Sequence, residues 1–111
     1  MRLFIRCVEG EVRLGPGKIQ LLELIDAHGS ISEAARMMDM SYRRAWLLVA
    51  ALNTMFREPV VATKLGGKAG GGAQLTAFGA HVISRYRDME RLAQAAIAPH
   101  LNELEAALKK E

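Results

Sequence analysis

The sequence contains a single cysteine, Cys7. One thiol excludes an intramolecular disulfide and a cysteine-rich metal site, and it fits a reducing compartment. The three histidines, His28, His81 and His100, are scattered and show no metal-ligand spacing. A carboxylate pair, a nucleophile motif and a cofactor fingerprint are also missing. We therefore expect a protein that is not an enzyme and that holds no metal or cofactor.

Long apolar runs are missing as well. Arg6 and Glu9 interrupt the apolar N-terminal residues, so no secretory signal is expected. No run of about 18 apolar residues could cross a bilayer. Half of the 111 residues are nevertheless hydrophobic, which is enough for one modest core. These features predict a cytoplasmic protein with one domain, residues 1–111, and no membrane partner.

The first half of the chain carries clear signals for a hairpin and three helices. Apolar alternation around Gly10 predicts an N-terminal β-hairpin over residues 3–14. Helical spacing then predicts a first helix that ends at Gly29. Ser30, followed three residues later by a glutamate, predicts the start of a second helix, and Ser41 caps a third over about 41–56.

The second half predicts a hairpin and one long helix. Extended segments flank a glycine-rich loop and predict a hairpin over about 60–75. Thr76 caps a C-terminal helix over about 77–109, which Pro99 is expected to kink or restart. This element order predicts a mainly α fold with little β structure. Its expected architecture is a winged helix-turn-helix with an N-terminal β-hairpin and a long C-terminal dimerisation helix.

The third helix is the expected recognition helix, which in this architecture places its N-terminal turns in the DNA major groove. Its apolar stripe should face inward, and that stripe consists of Ala45, Leu48, Val49, Leu52 and Phe56. The expected DNA-binding residues of this helix are Ser41, Tyr42, Arg43, Arg44, Trp46 and Leu47. Either arginine can pair with guanine or hold a phosphate, and the sequence does not choose between these roles.

Several of these residues also have a structural interpretation. Tyr42 could pack on the core, and Trp46 could serve as a partly buried hinge residue. Leu47 and Ala50 lie on the expected outer face, where they indicate either contacts to thymine methyl groups or burial against another element. Ser41 is a helix cap first and a phosphate donor second.

The glycine-rich loop is the expected wing. Its candidate DNA-binding residues are Lys64, Gly66, Gly67, Lys68 and Gly70. The spacing of a phosphate-binding P-loop is not met, because Ala69 follows the lysine and Ala62 stands where the first glycine is required. A flexible linker is the alternative, but glycines also allow a loop to approach a duplex closely.

Positive charge is concentrated in residues 41–76. The whole sequence has a formal charge of +3, yet residues 41–76 hold Glu58 as their one acid beside five bases: Arg43, Arg44, Arg57, Lys64 and Lys68. A localised basic surface is typical of nucleic-acid binding, although a solvated basic face would look the same. Double-stranded DNA is the expected partner.

The C-terminal helix carries the expected homodimer surface. Its apolar residues recur at a spacing close to a heptad seam: Val82, Tyr86, Met89, Ala93, Ala96, Ile97, Leu101 and Leu104. The alternative is that this face covers the chain's own core, above all over residues 78–86. Beyond about residue 89 the helix outruns so small a core, which favours a dimer.

The segments 29–35, 40–46, 66–76 and Gly79 together resemble the N-terminal domain of the ModE family of molybdate-responsive regulators, and more distantly the LysR-type DNA-binding domain. The resemblance covers about residues 1–98. It implies a recognition helix at 41–47, a wing at 64–74 and a dimer surface on the first and last helices. The family binds molybdate through C-terminal β-barrel domains, and this sequence ends before one, so molybdate sensing by this chain itself is not expected.

The expected function is therefore sequence-specific DNA binding by a homodimeric transcriptional regulator of molybdate transport or molybdenum-related genes. A winged-helix module that binds an acidic protein is an alternative from another class. A small oxyanion-binding protein that uses the glycine loop or helix N-termini is the third.

Overall fold

The computed structural model describes residues 5–6, 13–64 and 72–109. Its helices and strands, in chain order, are β1 Ile5–Arg6, β2 Arg13–Leu14, α1 Pro16–His28, α2 Ile31–Met37, α3 Tyr42–Met55, β3 Val61–Lys64, β4 Gly72–Leu75 and α4 Ala77–Ala106. The strands form two antiparallel pairs, β1 with β2 and β3 with β4. The described chain is thus mostly helical with little β structure and a long C-terminal helix, as expected.

The N-terminal hairpin is described only at its base. Ile5 pairs with Leu14 and Arg6 pairs with Arg13. The remaining residues of the predicted hairpin, including Gly10, lie outside the described residues.

Local capping sets the ends of the first three helices. Gly29 ends α1 in the left-handed conformation, with φ of +66°, and its N–H donates to the Ile25 carbonyl at 2.7 Å. The Ser30 hydroxyl accepts from the Glu33 N–H at 3.1 Å and starts α2. Ser41 starts α3 in the same way, accepting from the Arg44 N–H at 3.1 Å. These caps confirm the predicted helix starts at Ser30 and Ser41.

The core is built around α1. Four residues of this helix are fully buried, Ile19, Leu21, Leu22 and Ile25. Small residues of the next two helices are buried with them, among them Ala34 and Ala45, and their lack of bulk lets the helices approach closely. Val60 and Val61 add the edge of the second hairpin.

Asn53 attaches the second hairpin to α3. Its Oδ1 accepts from the Val60 and Val61 N–H groups at 2.8 and 3.1 Å, and its Nδ2 donates to the Val61 carbonyl at 3.0 Å. One partly buried amide thereby satisfies three backbone groups at the start of β3. The strand that leads into the expected wing cannot shift along α3 without breaking these bonds.

The start of α4 packs tightly against the segment that leads into β3 and against the end of β4. The Thr76 hydroxyl accepts from the Gly79 N–H at 2.9 Å and donates to the Pro59 carbonyl at 2.7 Å. A Cβ atom at Gly79 would collide with the Val60 carbonyl oxygen and would lie 2.7 Å from Cδ1 of Leu75. Glycine is therefore required here for close packing of helix against strand.

The last helix continues through Pro99, and the expected restart at that residue does not occur. Proline removes one backbone hydrogen bond and crowds the preceding turn. The alanines before it and the leucine after it favour the helix, which offsets part of that cost. With 30 residues, α4 is about 45 Å long. Among the described residues, no helix is both long enough and apolar enough to span a membrane.

Replacing Gly79 by alanine should destabilise the protein by about 3 kcal/mol, because the added methyl group meets backbone atoms that cannot rotate away. Urea unfolding at fixed protein concentration measures this. Gly17→Ala is the matched control, since a Cβ there has no heavy atom within 4 Å and the helix gains propensity. Equal stability of the two variants would contradict the close packing at Gly79.

Replacing Asn53 by alanine should cost about 2–4 kcal/mol, since three backbone groups lose their partner. Hydrogen exchange should also accelerate at the amides of Val60 and Val61. The neighbouring Thr54→Ala variant loses one exposed bond to the Ala51 carbonyl and should change stability by less than about 0.5 kcal/mol. An unfolding free energy unchanged by Asn53→Ala would remove its proposed clamping role.

Candidate nucleic-acid interface

A short turn fixes the direction of α3 relative to α2. Asp39 adopts a left-handed conformation with φ of +55°, which aspartate tolerates better than most residues. The Met40 N–H then donates to the Ala35 carbonyl at 3.0 Å. Because α2 packs on both α1 and α3, this turn holds α3 across the surface of the core.

The predicted inward face of α3 is confirmed. Ala45, Val49 and Leu52 are buried, and Leu48 and Phe56 are partly buried against the same core. Arg43 lies on the opposite side, Arg44 lies on the flank, and both are exposed. The arginine-bearing side of the helix therefore faces outward in this chain.

Three large apolar side chains share the exposed N-terminal turns of α3. Tyr42, Trp46 and Leu47 retain 55%, 48% and 52% of their accessible surface. Tyr42 is therefore not packed in the core, whereas Trp46 is about half covered, so its alternative role as a partly buried residue stays open. Leu47 is not covered by any described element.

The arginines of helices α2, α3 and α4 fall into two groups. Four of them form ion pairs with nearby carboxylates: Arg36, Arg85, Arg87 and Arg91. Arg43 and Arg44 form no ion pair with any described residue, and α3 itself contains no acidic residue. The helix therefore presents two positive charges that the described part of the chain does not neutralise.

Arg43 separates two shallow concavities on this surface. One is lined by Ser41, Arg43, Arg44, Leu47 and Leu48, and the other by Tyr42, Arg43 and Trp46. Both are wide open to solvent rather than enclosed. Such a surface suits a partner that lies along the helix better than a small molecule that must be surrounded.

The second hairpin lies beside this helix. Val61 pairs with Leu75 and Lys64 with Gly72, so its two strands are in regular antiparallel register. The Ala73 N–H donates to the Gly29 carbonyl at 3.1 Å, which ties β4 to the turn between α1 and α2. The expected wing residues Gly66, Gly67, Lys68 and Gly70, and the side chain of Lys64, lie outside the described residues.

The expected dimer residues separate into two sets along α4. Val82 and Tyr86 are buried in the chain's own core, so their assignment to a dimer surface is corrected. Tyr86 has no exposed surface at all. Beyond this point most of the predicted residues are exposed: Met89, Ala96, Ile97, Leu101 and Leu104, with Ala93 half-buried.

Arg87 marks the place where α4 leaves the core. Its Nη2 and Nε donate to the Glu23 carboxylate of α1 at 2.6 and 3.2 Å, and its Nη1 donates to Glu90 at 2.7 Å. These bonds, with Glu23 contributing most, raise the pKa of Arg87 above its usual value. The guanidinium of Arg87 thus fixes α4 on α1, just before the C-terminal half of α4, which is exposed.

Two functional features were not anticipated from the sequence. The first is the attachment of the β3–β4 hairpin to α3 by Asn53. The position of Asn53 on the flank of α3, shortly before a β-rich segment, could have predicted this role. Leu92 is strongly exposed on α4 and lies off the predicted spacing. Among the described residues, no group of three His, Cys, Asp or Glu side chains could hold a metal ion.

Comparison with known proteins finds several relatives named for molybdenum or for regulation. The chain is 38% identical over 94 residues to the "Molybdenum transport protein ModE" of Azotobacter vinelandii, which covers 82% of this chain and 35% of that protein. It is 41% identical over 109 residues to the "Molybdenum-pterin-binding protein MopB" of Rhodobacter capsulatus, covering 93% and 39%.

A third relative is named for DNA binding. The "DNA-binding transcriptional dual regulator ModE" of Escherichia coli K12 is 35% identical over 102 residues, covering 86% of this chain and 39% of that protein. No protein-family model matches the sequence. The chain is therefore similar to ModE and MopB proteins over most of its own length, and it spans little more than a third of theirs.

Proposed function

We propose that this chain is a DNA-binding unit of the ModE type, built as a winged helix-turn-helix over residues 1–111, that acts in transcriptional regulation. The observation that carries this proposal is the exposed, unneutralised pair Arg43 and Arg44 on the N-terminal turns of α3. In this architecture α2 and α3 form the helix-turn-helix, and the clamped hairpin β3–β4 forms the wing. The name of the Escherichia coli relative supports the same function.

Position on the helix suggests different roles for the two arginines. Arg43 lies near the centre of the exposed face, opposite Ala45 and Leu52, where a side chain can enter the groove and reach guanine. Arg44 lies toward the flank of α3, which suits a phosphate contact. The first turn of the helix adds its own unpaired N–H groups, which favour a phosphate beside Ser41.

The β3–β4 hairpin is the proposed wing, and the evidence for it is the way the hairpin is attached to the rest of the fold. Asn53 fixes the start of β3 on α3, and the bond from Ala73 to Gly29 ties β4 to the turn between α1 and α2, so the hairpin is held on the same unit as the proposed recognition helix. Lys64 and Lys68 in this hairpin would meet the phosphate backbone, with Gly66, Gly67 and Gly70 allowing close approach.

The exposed half of α4 is the proposed dimer surface. It carries Ala93, which is half-buried, and five exposed residues: Met89, Ala96, Ile97, Leu101 and Leu104. Water would otherwise contact this apolar stripe along much of a long helix, and a second copy would bury it. Two recognition helices joined in this way would enter successive major grooves about 34 Å apart.

The names of the relatives suggest genes of molybdate transport or molybdenum metabolism as targets. The chain spans little more than a third of the length of those proteins, and we propose for it DNA binding without a molybdate site. Titration calorimetry with molybdate, tungstate and sulfate should show no binding heat. Measurable heat with any of them would support an oxyanion-binding function instead.

DNA binding itself is tested by fluorescence anisotropy with a random duplex and with a duplex enriched by selection from a random pool. We expect binding that weakens steeply between 50 and 200 mM salt, as counterion release requires. We also expect the selected duplex to bind at least about 10³-fold more tightly than the random one. Failure to bind any duplex at low salt would contradict the proposal and favour an acidic protein partner.

Replacing Arg43 by alanine should weaken binding to the selected duplex by about 1–3 kcal/mol and relax the preference at one base pair. A repeated selection with the variant identifies that base pair. Arg85→Ala is the matched control, because Arg85 is an exposed arginine on α4 that is already paired with Asp88. A uniform loss on all duplexes would assign Arg43 to a phosphate instead.

Replacing Leu101 by glutamate should convert a dimer into a monomer, because the new charge would be buried in the apolar seam. Sedimentation equilibrium should then give the chain mass of 12.2 kDa instead of twice that value. Asn102→Glu introduces the same charge on another side of the same turn and should leave the dimer intact. If the wild-type protein is monomeric at high concentration, the proposed homodimer is wrong.

A further inference from the structure

Leu47 is the most exposed apolar residue near the centre of the outer face of α3, with 52% of its surface accessible. It follows Arg43 by one helical turn, so the two side chains are neighbours. Both line the same shallow concavity. Leu47 shares the exposed N-terminal turns of α3 with Tyr42 and Trp46, and such a cluster of exposed apolar side chains indicates a contact outside the chain.

The surroundings of Leu47 indicate what that contact is. The helix has no acidic residue, and the two arginines beside Leu47 are not neutralised by the described chain. A partner must therefore combine dense negative charge with an apolar group small enough for an open concavity. Double-stranded DNA meets both conditions, since thymine presents a methyl group on the edge of the major groove.

We infer that Leu47 selects thymine by contact with its 5-methyl group, at a base pair one or two steps from the one that Arg43 contacts. This inference rests on the proposed DNA-binding function and adds the base that a second residue recognises. Four residues of helix advance by about 6 Å, and successive base pairs are about 3.4 Å apart. Arg43 and Leu47 therefore reach base pairs one or two steps apart.

Other apolar residues of α3 are less suited to this role. Leu48 is partly buried against the core, and Ala50 is small and half-buried. Trp46 precedes Asn53 by two turns and so lies on the hairpin side of the helix rather than at its centre. Leu47 alone combines a central position with a large exposed apolar surface among these residues.

The test uses a duplex obtained by selection with the full chain, in which each thymine is replaced singly by uracil. Uracil differs from thymine only by the missing methyl group, so hydrogen bonding of the base pair is unchanged. For the wild-type chain we expect at least one position where uracil weakens binding about fourfold, the effect of one buried methyl group. In Leu47→Ala the difference between thymine and uracil at that position should vanish.

Thr54→Ala is the matched control, because Thr54 is exposed on the same face two turns further along the helix. It should keep the full preference for thymine, and Leu47→Met should keep part of it. Circular dichroism verifies that each variant folds, and Leu47→Gln replaces the alanine variant should that one unfold.

Two results would overturn the inference while leaving DNA binding in place. One is a wild-type chain that binds every uracil duplex as tightly as its thymine counterpart. The other is a Leu47→Ala variant that retains the whole preference. Absence of binding to any duplex would instead overturn the proposed function itself, so the two failures are distinguishable.

Discussion

The Asn53 side chain fixes the position of the second hairpin on α3, and the geometry of the proposed interface depends on this attachment. Its amide forms three hydrogen bonds to the backbone of Val60 and Val61, all between 2.8 and 3.1 Å. A partly buried amide with all these partners stabilises one geometry strongly, because any shift leaves polar groups unsatisfied. Helix α3 and the hairpin after it therefore move together, and Gly79 then lets α4 pack against the same strand.

The distribution of ion pairs gives this rigid unit its electrostatic character. The arginines of α2 and α4 are paired with carboxylates one turn away or on α1, while α3 carries arginines and no acid. Exposed pairs of this kind add little to folding stability. Their effect is to reduce the charge of those helices, so that positive charge remains concentrated on the proposed recognition helix.

The last helix has two physically different halves. Gly79, Val82 and Tyr86 are buried, and the Arg87–Glu23 fork anchors the helix at the edge of the core. The following residues carry exposed leucines and an isoleucine over several turns. Most of the stability of a helix in a protein comes from packing of its apolar face against another element. The second half thus supports the proposed dimer, while the first half belongs to the chain itself.

The sequence by itself determined the local features of this protein. Serines at helix starts, a glycine after α1 and the 3.6-residue spacing of apolar residues were sufficient to predict the helices and the inward face of α3. These signals depend only on neighbouring residues, which is why they can be read from the sequence. Leu47, by contrast, was ambiguous, because its helical position did not reveal whether another element covers it.

Only the tertiary structure decided which apolar residues of α4 belong to the core and which remain exposed. Val82 and Tyr86 share the spacing of Ile97 and Leu101, but only the first pair is buried in the core. Tertiary contacts likewise gave Asn53 its role and made Gly79 indispensable. These properties arise from contacts between segments distant along the chain, and periodicity within one helix carries no information about where its neighbours end.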